Sequence, residues 1–209
     1  LSIIFKTNMV KATKDNRPFS SGVFDLEEFN IYTKVIDLPL DGIPTYLEEG
    51  INGVCTGGSA LFNVFSNKRR VVKNDLITIF PYQLASITEI STDFAVIFFK
   101  VPKKLFMDTI NGLGRLTLDY FFYMRKYYSS PLSEEEYKRF VHFCHILSCR
   151  VDLSCAFLRR ESVMYLLRVY YWDLYVGYKS NPKAMASVKF VRKEKQVFEF
   201  FYLVIEYHT

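Results

Sequence analysis

The side chains able to do chemistry in this 209-residue chain are few: three histidines, four cysteines and a scatter of hydroxyl, amide and carboxylate groups. His142, His145 and His208 all lie C-terminal to Pro102, in a stretch whose apolar spacing is helical. Iron, manganese or zinc inside a β-barrel needs several converging nitrogen and oxygen ligands. The β-rich half has no histidine, so counting excludes a histidine-based metal centre there. His142 and His145 stand three apart, a ligand spacing, with Cys144 and Cys149 nearby. No second Cys/His group stands at a matching spacing, so this is read as a helix face and no metal or cofactor is assigned. Cys55, Cys144, Cys149 and Cys155 form no C-x-x-C pair and read as free thiols of a cytoplasmic protein. There is no G-x-S-x-G, P-loop or G-x-G-x-x-G, and the chain is expected not to be an enzyme.

The polar groups that remain are Tyr46, Asn52, Asn63, Thr78, Tyr82 and Ser86, each set among apolar neighbours. Mostly apolar walls with a few polar groups describe a small-molecule pocket, and these six are the candidate ligand contacts. The same pattern describes a barrel core with satisfied hydroxyls. Along Ser59 to Phe65 one face carries Leu61, Asn63 and Phe65 and the other Ala60, Phe62 and Val64, and the sequence does not say which points inward. Two basic clusters stand out. Lys68-Arg69-Arg70 with Lys73 reads as a solvated hairpin tip. Lys189, Arg192, Lys193 and Lys195 open a last helix, where positive charge opposes the helix dipole and suits nucleic acid or an acidic neighbour.

The elements that position these groups fall into two halves. Half of the residues are apolar and the formal charge is +5, which argues against disorder and permits an anionic partner without demanding one. The longest clean apolar run, Phe94 to Phe99, is far below the roughly 20 residues needed to cross a bilayer, so no membrane is expected. From Phe24 to Val101 short β-like segments alternate with turn chemistry: Pro39, Asp41-Gly42, Pro44, Gly57-Gly58, Asn74-Asp75 and Pro81. Roughly seven or eight strands at this spacing predict a barrel or sandwich. Pro102 marks the change to helix.

Lys103 to Asn111 reads as a short helix, with Leu116 to Lys126 a second piece. Ser133-Glu-Glu-Glu136 is a capping box opening a helix to about Arg150, with Tyr137, Phe140, Val141, Cys144 and Leu147 at helical spacing. The next helix, about Ala156 to Tyr178, carries two stripes. One is Val163, Leu167, Tyr170 and Leu174. The other, Tyr165, Val169, Trp172 and Val176, lies on the nearly opposite side. A helix apolar on two sides needs two partners, and a second copy of the chain is the simplest one. This second stripe is the predicted dimer interface.

A histidine-poor barrel containing Asn-Asp-Leu-Ile-Thr-Ile-Phe-Pro (74–81) and Ser-Thr-Asp-Phe-Ala-Val-Ile-Phe-Phe (91–99) is followed by helices, the last reading Lys-Gln-Val-Phe-Glu-Phe-Phe-Tyr-Leu-Val-Ile-Glu-Tyr-His (195–208). This order resembles the N-terminal regulatory domain of AraC-type transcriptional regulators over roughly residues 20 to 208. The resemblance implies an α+β fold: a cupin-like β-barrel over 1–102 that can bind a small effector, a helical dimerisation region over 103–186, and a last helix over 187–209. That helix would lead to a helix-turn-helix domain that reads promoter DNA and is absent from this chain. Ser86 falls where metal cupins carry their late histidine. The end at Tyr207-His208-Thr209 has no cap signal and reads as a cut ahead of that domain. Two other readings are a metal-free cupin enzyme, for which Glu48, Glu49 and Glu89 are the nearby glutamates, and a cyclic-nucleotide-type sensor. The sensor needs an arginine in a phosphate cassette, whereas the stretch from Cys55 to Pro102 has only Arg69 and Arg70, at the hairpin tip.

Overall fold

A computed structural model describes residues 29–114 and 116–182. The start of the chain, the first part of the Phe24–Leu38 segment, and the last predicted helix with its basic cluster and His208 lie outside the described residues.

Among the described residues nine strands build the β half: β1 Ile31–Tyr32, β2 Thr45–Tyr46, β3 Glu49–Gly57, β4 Ser59–Val64, β5 Asn67–Val72, β6 Asp75–Ile79, β7 Leu84–Thr88, β8 Ala95–Pro102 and β9 Ser129–Pro131. They form two antiparallel sheets, ordered β1-β8-β3-β6-β9 and β2-β7-β4-β5. Four α-helices among the described residues follow or interrupt them: α1 Lys103–Asn111, α2 Leu118–Lys126, α3 Glu134–Val151 and α4 Ala156–Lys179. The architecture is α+β, a cupin-like sandwich followed by helices.

Period-two alternation sorts the side chains. Ile51 and Cys55 of β3, Ala60, Phe62 and Val64 of β4, Ile77 and Ile79 of β6, Ala85 and Ile87 of β7, and Val96 and Phe98 of β8 meet between the sheets, all buried. The intervening residues of the five-stranded sheet, Val54, Leu76, Phe99 and Val101, turn the other way and form a second core with the helices. There Phe99 packs at 5.7 Å from Tyr170 and 6.3 Å from Phe140, measured between ring centroids. Each such large apolar side chain contributes about 1.5–3 kcal/mol of burial. Gly53 sits where β3 passes β8: a Cβ there would meet that of Phe98 at 2.5 Å, so this pairing leaves no room for a side chain.

Two local features depart from expectation. Asn67–Arg70 is strand rather than hairpin tip. The reversal is the two residues before it, with Phe65 at φ 53° and the Arg125 guanidinium 3.6 Å from the Phe65 ring centroid. The chain also returns to the sheet after α2. β9 pairs with β6 through Ser129↔Ile77 and Ser130↔Leu76. Just ahead of β9, Tyr128 enters the inter-sheet core and donates to the backbone oxygens of Phe62 and Asn67 at 2.9 and 3.0 Å. The helical half thus supplies part of the sandwich.

Candidate functional site

The space between the sheets is lined by buried side chains of the chain itself, from Ile51 and Phe62 to Phe98 and Tyr128, each 0–1% exposed. Alternation then decides where the six polar candidates go. Asn52 and Thr78, cross-strand neighbours in β3 and β6, point to the helices. The Asn52 amide donates to the Tyr171 hydroxyl at 3.1 Å, and the Thr78 and Tyr170 hydroxyls bond at 3.1 Å. Consecutive tyrosines of α4 are thus pinned to paired residues of the sheet. Burial holds both phenols well above the ordinary tyrosine pKa, so both stay protonated. Asn63 and Ser86 pair in register on the outer face of the four-stranded sheet, opposite to Phe62 and Ile87. Tyr46 is exposed. Tyr82 is half exposed with φ 64°, and Lys103 Nζ lies 4.8 Å from its ring centroid. The six therefore share no single cavity.

A cleft of about 420 Å³ opens outside the sandwich, between β6, β9, α2 and α4. Leu76, Thr78 and Met124 are its buried residues from the sheet and α2; Tyr123 and Tyr127 belong to the α2 side, and Leu174, Gly177 and Tyr178 come from α4. Of the six candidates only Thr78 lines it. Asp173 and Glu136 are its charged residues. Glu136 belongs to the capping box: its Oε2 accepts from the Ser133 backbone N–H at 2.8 Å and from the Ser133 hydroxyl at 2.7 Å. Those bonds hold its carboxyl below the ordinary range. Sequence reasoning missed the cleft because its walls come from segments 100 residues apart, and β9 carries no strand signal.

The two faces of α4 separate as the stripes predict. Val163, Leu167 and Tyr170 are buried against the body, and Leu174 packs on the same core. Tyr165, Val169, Trp172 and Val176 are 58%, 58%, 45% and 44% exposed. Leu158, 55% exposed, extends the outward stripe one heptad toward the N-terminus, a signal the sequence carried in its seven-residue spacing. α4 is fixed to α1 by the Arg160–Asp108 ion pair and by Arg168, which donates to the Asp108 carbonyl at 3.3 Å. The Arg168 guanidinium also lies 5.3 Å from the Tyr165 ring centroid, beside the stripe.

His142 and His145 neighbour each other on α3, with ring centroids 6.5 Å apart. Among the described residues no group of three or more His, Cys, Asp and Glu side chains is placed to hold a metal ion. No helix among them is long and apolar enough to cross a membrane.

No family model and no curated protein sequence matches this chain. Solved structures do. The chain is structurally similar to N-terminal regions of AraC-like regulators. It matches an apo variant of ToxT from Vibrio cholerae at 8% identity and TM-score 0.45, over 75% of this chain and 55% of that one. It matches the AraC-like transcriptional activator CuxR at 10% identity and TM-score 0.33, over 60% and 43%. A third match is the plu4264 protein of Photorhabdus luminescens, at 16% identity and TM-score 0.25, over 52% and 100%. The chain thus spans about half the length of the first two. Identities and scores at this level concern the arrangement of elements, not the chemistry.

Proposed function

We propose that this chain is the effector-sensing and dimerisation module of an AraC-type transcriptional regulator, a cytoplasmic homodimer that reaches promoter DNA through another domain. The order of elements in the sequence supports the reading, as does the arrangement of two antiparallel sheets followed by helices. The observation that carries it is the outward stripe of α4.

That stripe has the form a two-fold interface requires. An isologous contact must be complementary to itself. Residues 165, 169, 172 and 176 are spaced four, three, four, a palindrome about the point between Tyr170 and Tyr171. Two antiparallel copies related there set Tyr165 against Val176 and Val169 against Trp172, a large side chain facing a small one each time. From Leu158 to Val176 the stripe runs about 27 Å at 1.5 Å per residue, long enough for a helix pair to build on.

Sedimentation equilibrium at high micromolar concentration tests this. The wild-type chain should be a dimer. Trp172→Glu should be a monomer with an unchanged far-ultraviolet spectrum, because Trp172 is 45% exposed and its ring contact is with Tyr175 of the same helix. A monomeric wild type, or a Trp172→Glu variant that stays dimeric, would refute the α4 interface.

A further inference from the structure

The cleft between the sheet edge and α4 is unused by the dimer reading, and the charged residues that line it are acidic. The chain carries net charge +5, yet the charged residues lining the cleft are two carboxylates, Glu136 and Asp173, with no lysine or arginine. The capping-box bonds all fall on Glu136 Oε2, leaving Oε1 without a hydrogen-bond partner among the described residues. Asp173 makes no ion pair among them. Tyr178, 3% exposed, lines the cleft, and its hydroxyl has no hydrogen-bond partner among the described residues. Burial and Asp119 together hold that phenol above its ordinary pKa, so it stays neutral.

The tyrosines here already hold ammonium groups. Lys126 Nζ lies 5.2 Å from the Tyr127 ring centroid and Lys179 Nζ 5.6 Å from that of Tyr178. Aromatic faces attract cations through the ring quadrupole, more strongly as water is excluded. Arg69, the cation acting on Tyr123 and Tyr128, is outside the lining.

We propose that this cleft binds an organic cation, an amine or quaternary ammonium on an apolar body. Its charge would lie between Asp173, Glu136 and the Tyr123, Tyr127 and Tyr178 rings, and its body against Leu76, Met124 and Leu174. Such a ligand would touch α4 at Asp173, Leu174, Gly177 and Tyr178, on the same turns that carry Trp172 and Val176 outward. The site stands on the cleft alone; its coupling to self-association rests on the dimer reading above.

The test is calorimetric and NMR titration of the whole chain with benzyltrimethylammonium, and with choline against its uncharged tert-butyl analogue. Saturable binding of the cations is expected, with the uncharged analogue weaker by about fivefold or more. Asp173→Asn should weaken binding by about two- to fivefold, the range for an exposed ion pair. Gly177→Phe should abolish it, and Gly177→Ala should preserve it. A Cβ at Gly177 meets nothing within 4 Å, so both variants are expected to fold, as thermal melting will report. Should Gly177→Phe not fold, Asp173→Asn decides. Equal affinity for charged and uncharged analogues, no saturable binding, or unchanged binding in folded Gly177→Phe or in Asp173→Asn overturns the proposal. Sedimentation of the same samples separates the two claims: a monomer that binds cations defeats only the dimer, and a dimer that binds none defeats only this site.

Discussion

Removing the Tyr171 hydroxyl should cost more than removing it together with its partner. Tyr171 and Asn52 are both 0% exposed, and their 3.1 Å bond is the single hydrogen bond of the Asn52 side chain, whose Oδ1 has no partner among the described residues. Tyr171→Phe leaves the whole amide unpaired in an apolar interior, at a cost of about 1–3 kcal/mol. At roughly 2–4 °C per kcal/mol for a chain of this size, a 2 kcal/mol loss lowers Tm by about 4–8 °C. Asn52→Val alone strands the Tyr171 hydroxyl but also removes the unpaired Oδ1, so its cost should fall at the lower end of the same range. The double variant leaves no unpaired group, and valine suits a buried strand. It should recover to within about 1 kcal/mol of wild type, a compensating coupling of the size seen for contacting pairs. Thermal and urea unfolding followed by circular dichroism measure all four corners of the cycle. If the double variant loses the sum of the two single losses, the pairing is not what holds α4 in register on the sheet, and the reasoning fails.

Three further outcomes follow from the same structure. Cys149 and Cys155 are exposed, whereas Cys55 and Cys144 are buried, with Cys144 pushed up to about 12 by desolvation; thiol titration of the native protein should find two fast groups and two that react only on unfolding. Ser133→Ala removes the α3 N-cap and should cost about 0.5–2 kcal/mol, read from denaturant midpoints. The lowered folded pKa of Glu136 means its contribution is present above the unfolded value near ~4.3 and lost as pH falls through the folded one, so the gap between the variant and wild type should narrow in acid. Burial raises the pKa of Tyr128 to about 12 and those of Tyr120, Tyr170 and Tyr171 further. Their stabilising effect is full below the unfolded tyrosine value near ~10 and lost as pH rises through the folded ones. Alkaline absorbance titration should therefore show these phenols ionising together with unfolding.

Much of the local structure was legible in the sequence because its causes are local. The α1 range, the Ser133–Glu136 box that opens α3, and the span of α4 follow from turn residues, capping chemistry and 3.6-residue spacing, and each lies where expected. The strands of β4, β6 and β8 likewise follow from apolar runs bounded by turns. The two stripes of α4 were legible as two faces, since helical spacing fixes their angle whatever surrounds them. The assignment of Tyr165, Val169, Trp172 and Val176 as the outward stripe matches their exposure, while Val163, Leu167 and Tyr170 face the body. What the stripe could not show is which sheet residues meet the inward one: Phe99 and Thr78 do so at Tyr170.

Tertiary structure alone also decided where the polar groups point. Period two makes alternate residues share a face but does not name the face, so Asn52 and Thr78 could be read as barrel lining when they meet α4 instead. Ser129–Pro131 became a strand only because β6 offered an open edge, and that return closes one wall of the cleft. A site assembled from β6, β9, α2 and α4 has no signature within any one segment; it exists only once packing has brought Asp173 and Glu136 to the same opening.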